Sequence, residues 1–247
     1  MGVGTTTASG GTSEYAAPMP TPPATRRTAV TLGMAVSLFG VSFGVVATGA
    51  GLSAPMACAM SLFVFTGATQ FAAVGVLAAG GSPIAAIGSG LLLGARHIGY
   101  GLALRRKLAP GRVRRLLAAQ ILIDESTLLA LNESDPEAAS SAFWWGGLSV
   151  FVGWNLGTLL GALLGDAIGD PATYGLDAVF PAAFLALLVP LLRRRDGRGT
   201  ALAGAVIGLV LVPFTPAGVP IIVASSGVLV ALAVRDPEPP PAPELPA

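Results

Sequence analysis

A chain of 247 residues that is 53% hydrophobic and only 11% charged, with a mean hydropathy of +0.74, cannot hide its apolar surface in one soluble core, so the bilayer is its solvent. The net charge of +1 comes from basic residues in local clusters with no continuous stripe, which argues against a nucleic-acid partner. One cysteine, Cys58, and one histidine, His97, leave no disulfide framework within the chain and no two-histidine metal motif.

In chain order, residues 1–27 are rich in Thr, Gly, Ala and Pro without an apolar core, and read as a disordered tail rather than a cleaved signal. A transmembrane domain over 28–235 follows, and a Pro-rich disordered tail, 236–247, closes the chain. Within the domain, apolar segments of spanning length are expected at Thr28–Gly51, Pro55–Ala79, Pro83–Leu104, Ala142–Gly165, Gly175–Leu192, Thr200–Pro213 and Ala217–Val234. The sixth is only about 21 Å long at a rise of ~1.5 Å per residue, so it and the seventh are expected to form a broken or tilted pair around Pro213–Pro220. The fold class is therefore all-α: a polytopic transmembrane helical bundle of about seven spans.

Basic residues follow span three (Arg105, Arg106, Lys107, Arg112, Arg114, Arg115), span five (Arg193, Arg194, Arg195, Arg198) and span seven (Arg235). All are cytoplasmic together if Leu116–Leu131, with Asp124 and Glu125 in it, lies at the interface or dips into the protein without crossing. Arg26 and Arg27 then conflict, because three crossings before Arg105 put the N-terminus outside. The conflict disappears if one early segment is re-entrant and six spans cross. Gly153, Gly157, Gly161, Gly165 and Gly169 recur every four residues and lay a smooth ridge on span four, while Gly40/Gly44, Gly90/Gly94 and Gly204/Gly208 repeat the spacing elsewhere. Trp144 and Trp145 suit an interfacial anchor at the start of span four.

Few residues inside the spans carry chemistry. Arg96 is the only formal charge between Thr28 and Leu104, and a guanidinium at membrane depth costs ~2.5–3.5 kcal/mol on insertion scales. It either snorkels to the basic end of its span or binds an acidic or zwitterionic solute through its planar fork. Neighbouring His97 is a proton relay or a packing residue. Asp124 and Glu125 hold a coupling proton or an ammonium group, or form salt bridges to the basic loop. Thr66, Gly67, Thr69 and Gln70 place a glycine and hydrogen-bonding side chains mid-segment, where a helix can unwind and present its half-helix termini to a solute.

Catalysis fits poorly. Ser89 in Gly88-Ser89-Gly90 stands ~12 Å along one helix from His97, too far for a nucleophile–base hydrogen bond of ~3 Å. Ser226 is the other candidate partner for His97, and no phosphate-binding loop is present. The chain reads as no enzyme, with no cofactor and no metal.

Read together, Gly40-Val-Ser-Phe-Gly44, Phe65-Thr-Gly-Ala-Thr-Gln-Phe71, Ala95-Arg-His-Ile-Gly-Tyr-Gly101, Asp124-Glu-Ser-Thr127 and Gly175-Leu-Asp177 occur in the order seen in AzlC-type proteins, which this chain resembles over most of Ala35–Val234. Those are the large subunits of azaleucine-resistance branched-chain amino acid permeases. The resemblance implies secondary export of branched-chain amino acids across a bacterial cytoplasmic membrane, with a small AzlD-like membrane protein as second subunit. A zwitterionic substrate needs a carboxylate partner, for which Arg96 qualifies, and an ammonium partner, for which Asp124, Glu125 or broken-helix carbonyls qualify. Gln70, Thr66 and Thr69 supply polar lining, and proton coupling is the expectation. Gly94 and Ala95 depart from the more polar approach expected just before the arginine. The alternative is a non-transporting membrane scaffold whose polar residues only join helices.

Overall fold

Helix α1 runs Pro23–Gly49, so it starts inside the stretch read as a tail. It is stopped by a glycine closure in which Gly51 takes φ +90° and its N–H, with that of Leu52, returns to the Thr48 and Ala47 carbonyls at 2.9 and 3.1 Å. The computed structural model describes residues 23–108, 111–168 and 192–233, with isolated positions between 173 and 189. The expected fifth span, Gly169 and both chain ends lie outside these residues. Every regular element among the described residues is helical.

Among the described residues, two helices are long and apolar enough to cross a membrane unbroken: Thr25–Gly49 within α1, and Pro136–Gly165 within α8, which extends over Pro136–Ile168. They pack in parallel along their whole length, and the glycine ridge is the reason. A Cβ on Gly153 would stand 2.5 Å from the Gly33 carbonyl oxygen; on Gly157 and Gly161 it would strike the Ser37 and Val41 carbonyls. Gly33 and Gly40 return the fit against the Ser149 and Trp154 carbonyls at 2.7 and 2.6 Å. The two backbones touch, and any side chain at these positions would separate them.

The remaining described segments are broken. Ser53 caps α2 (Ala54–Phe63), with Pro55 in its first turn; residues 64–67 leave the helix, and α3 (Ala68–Ala78) begins after Gly67 at φ +42°. A second glycine closure, at Gly80 and Gly81, ends α3, and Ser82 caps α4 (Pro83–Gly94). At Ala95 the helix tightens into a single turn before α5 (Arg96–Leu104). Helix α6 (Arg112–Gln120) and α7 (Asp124–Leu131) flank a second bend at residues 121–123. Further on, α9 (Arg195–Leu211) is followed by α10 (Val219–Ala224), a 3₁₀ turn and α11 (Val228–Ala233). The 212–218 break between α9 and α10 falls where the prolines were expected to put it.

Helix α8 provides a depth scale: from Trp144 to Gly165 it rises ~32 Å, a hydrocarbon thickness, so Trp154 sits near the middle. Arg26 lies over the Trp145 ring at 4.3 Å and Arg114 over Trp144 at 5.6 Å. The basic start of α1 and the basic loop therefore share one side, and the arginines at 26 and 27 stop being exceptions.

Within the second apolar segment the chain reverses direction. Ser61 of α2 bonds Thr158 at 3.1 Å, and Phe65, beyond it, reaches down to Phe151 at 4.9 Å. Phe71 then returns upward to Phe43 and Trp154 at 5.4 and 6.1 Å, and Met60 of α2 packs by Ala73 and Val76 of α3. Helices α2 and α3 thus form a hairpin. The α4–α5 segment descends from there, its Gly90 facing Thr69 and its Leu104 joining Phe143 near the basic end. Helices α6 and α7 dip from the opposite side: Ile121 lies against Gly147, Ile123 joins Val150 and Trp154, and the return brings Ser126 and Leu129 back to Gly146.

Candidate functional site

The two bends approach each other from opposite faces at the level of Trp154. Phe65 from the first and Ile123 from the second belong to one buried cluster with Phe43, Phe71, Val150 and Trp154. Gln120 Nε2 donates to the Leu62 carbonyl at 2.6 Å, so the second bend satisfies one of the acceptors orphaned where α2 stops. Non-helical backbone at membrane depth is tolerated only where protein or an internal cavity receives it.

Around these bends stand the residues singled out from the sequence. Arg96 opens α5 at the α4–α5 junction, and its Nη2 donates to Asp124 Oδ2 at 2.8 Å; the two side chains are 25% and 35% exposed. Asp124 opens α7, where the helix N-terminus favours a carboxylate. Tyr100, one turn beyond Arg96, donates its hydroxyl to the other carboxylate oxygen. Arg96 Nη1 reaches the Leu93 carbonyl at 3.5 Å, and Nε has no partner. The guanidinium is thus turned inward onto α7, not lifted to the basic loop as snorkelling requires, and the Asp124 partner is Arg96 itself. Glu125 is half-buried beside it and forms no ion pair among the described residues.

His97 Nδ1 lies 2.8 Å from the Gly94 carbonyl, so this nitrogen carries the proton, and buried Nε2 is left unpartnered. Thr69 stands beside Gly94, the departure noted in the sequence, with its Oγ1 3.8 Å from where a Cβ would be, an ordinary contact that an added methyl would keep. That contact joins the α3 start to the Arg96 junction. Gln70 is fully buried; its Oε1 accepts from the Gly67 N–H at 3.1 Å, and its Nε2 is unpartnered. The Trp154 ring lies over Gly67, where a Cβ would come within 3.3 Å.

Eight buried side-chain polar atoms lack a partner among the described residues, and all but Ser140 Oγ belong to this zone: Thr66 Oγ1, Thr69 Oγ1, Gln70 Nε2, Arg96 Nε, His97 Nε2, Thr127 Oγ1 and Trp154 Nε1. Each costs roughly 1–3 kcal/mol if left unsatisfied, so this zone holds hydrogen-bonding capacity that the described side chains do not fill and that water or a solute can. Tyr100, Thr127 and Trp154 were not among the residues selected from the sequence. Tyr100 was reachable, lying four residues after Arg96 and hence on the same helix face; the other two carry no local signal. Ser89 and Ser226 bond the carbonyls of Ala85 and Val223 at 2.9 and 2.7 Å, turned away from any nucleophilic role with His97.

A helical protein with lipid-length apolar helices, bends at mid-depth and a paired charge between them is a membrane protein built around an internal polar site. Residues 31–168 match the AzlC protein family, and the chain belongs to that family, a membrane permease-type family and not an enzyme family. Among curated proteins it is 27% identical over 175 residues to an uncharacterized membrane protein of Helicobacter pylori strain ATCC 700392 / 26695, covering 70% of this chain and 76% of the relative. It is 26% identical, over the same shares, to the counterpart in strain J99. No solved structure matches.

Proposed function

We propose that the chain is a secondary transporter that exports branched-chain amino acids across a bacterial cytoplasmic membrane, working with a small AzlD-like membrane subunit and coupled to protons. The observation that carries this reading is the meeting of two opposed bends at a guanidinium–carboxylate pair ringed by unpartnered buried donors and acceptors. A zwitterion supplies what is missing there. Its carboxylate takes the free Nε edge of Arg96 together with Thr69 and Gln70 Nε2, while its ammonium shares Asp124 or Glu125. Its aliphatic side chain enters the Phe65, Phe71 and Trp154 cluster. Proton coupling follows if Asp124 and Glu125 exchange a proton when the substrate displaces the Arg96–Asp124 pair.

The arrangement fits alternating access, since each bend closes the site from one face. We infer six crossings: α1, α4–α5, α8, the segment before Arg193, α9 and α10–α11, with α2–α3 and α6–α7 re-entrant. The described basic clusters then lie on the cytoplasmic side, as the positive-inside rule asks. This replaces the seven crossings expected from hydropathy. The test is export of valine and leucine from cells producing the protein with its partner subunit: Arg96→Gln should abolish export at unchanged membrane abundance. Full export by that variant refutes the role given to Arg96, and no export by the wild-type pair leaves the scaffold reading in its place.

A further inference from the structure

On the basic side of the molecule, α6 meets α5 and the start of α8 around a cleft of about 390 Å³ that is separate from the mid-depth site. Arg105, Arg114 and Arg115 line its rim, and Leu108, Leu122 and Trp144 its floor. No described acidic side chain lines it, and no described carboxylate pairs with these arginines; the described ion pairs are Arg96–Asp124 and Arg194–Asp196. Lys107 is occupied by the Ala130 and Glu133 carbonyls. Arg114, over the Trp144 ring, is exposed.

The helix that forms the outer wall is amphipathic and faces outward with Val113, Leu116 and Leu117, all well exposed. Entering from the basic side, α6 carries its arginines at the headgroup end and its exposed apolar edge toward lipid. Its cleft thus opens where lipid phosphates are, with cationic forks at the rim and apolar surface beneath.

We propose that this cleft binds the phosphate headgroup of an anionic membrane phospholipid, whose acyl chains run over the apolar floor into the bilayer. Basic pockets between membrane helices on the cytoplasmic side are suited to such headgroups. The inference rests on the membrane embedding of the chain and not on its transport role.

Native mass spectrometry of the full-length, detergent-purified protein tests it, with phosphatidylglycerol and phosphatidylcholine of matched acyl chains as probes. The wild-type protein should retain phosphatidylglycerol preferentially. Arg114→Gln/Arg115→Gln should weaken retention about thirtyfold, from the contribution of two arginines near an anionic surface. Arg106→Gln/Arg112→Gln removes the same charge from the same loop outside the cleft and should change it little. Equal loss in the two double variants replaces the cleft by diffuse loop electrostatics, and so overturns the site. Displacement of the lipid by equimolar inorganic phosphate reassigns the cleft to a soluble anion. No preference of wild-type protein for phosphatidylglycerol, a comparison that needs no variant, ends the proposal outright.

Discussion

Asp124 holds both Arg96 and Tyr100, so its carboxylate is the group whose removal isolates the guanidinium. Asp124→Asn should lower stability by roughly 1–3 kcal/mol, the cost of an unpartnered buried polar group, while Arg96→Gln/Asp124→Asn should recover most of that loss. Thermal unfolding in detergent of the two singles and the double measures the coupling, and simple additivity would contradict it. Thr69→Val separates function from packing. The hydroxyl it deletes has no partner, so unfolding should be unchanged or raised by up to about 1 kcal/mol while export falls at least tenfold; loss of stability with retained export would make Thr69 a packing residue. Arg96 was legible because no other charge occurs from 28 to 104. Its partner was not: Asp124 is distant in the chain, and only the dip of α6–α7 brings it back.

At the scale of elements, the α1–α8 pair carries the bundle. Gly161→Val places a branched side chain against the Val41 backbone and should cost ~3 kcal/mol or more of packing strain, or prevent assembly; Gly75→Ala, with open space around it, should cost little. Size-exclusion profiles and unfolding temperatures of both variants provide the check. The ridge could be read from the sequence because a four-residue glycine period is a surface property of one helix. The bend at Gly67 was equally open to reading, since glycine and small polar residues cluster there. What hydropathy does not encode is direction: an apolar run looks the same whether it continues through the bilayer or folds back, so the reversal between α2 and α3 could not be read from it. The junction at Ala95 was hidden for another reason, as no proline marks it and the backbone there stays near helical values despite Gly94 beside it.

For the whole molecule, the re-entrant path makes a labelling prediction. In a Cys58→Ser background, Gly51→Cys and Gly80→Cys should both react with a membrane-impermeant thiol reagent from outside, and Arg27→Cys and Arg112→Cys only after the cytoplasmic face is opened. Labelling of position 80 from the cytoplasm would restore α2–α3 as a crossing. The sequence already held the decisive clue in Arg26 and Arg27, whose charge conflicted with an odd number of early crossings; contact of Arg26 with Trp145 resolves it. The central claim is that Arg96 receives the carboxylate of a zwitterion. The purified protein, unfolded thermally with leucine and with leucinamide, which lacks the carboxylate, addresses this most directly. At a hundred times its dissociation constant leucine should add about 2.7 kcal/mol, leucinamide nothing, and Arg96→Gln should erase the difference; equal stabilisation by both compounds, or an undiminished leucine effect in Arg96→Gln, would contradict the account.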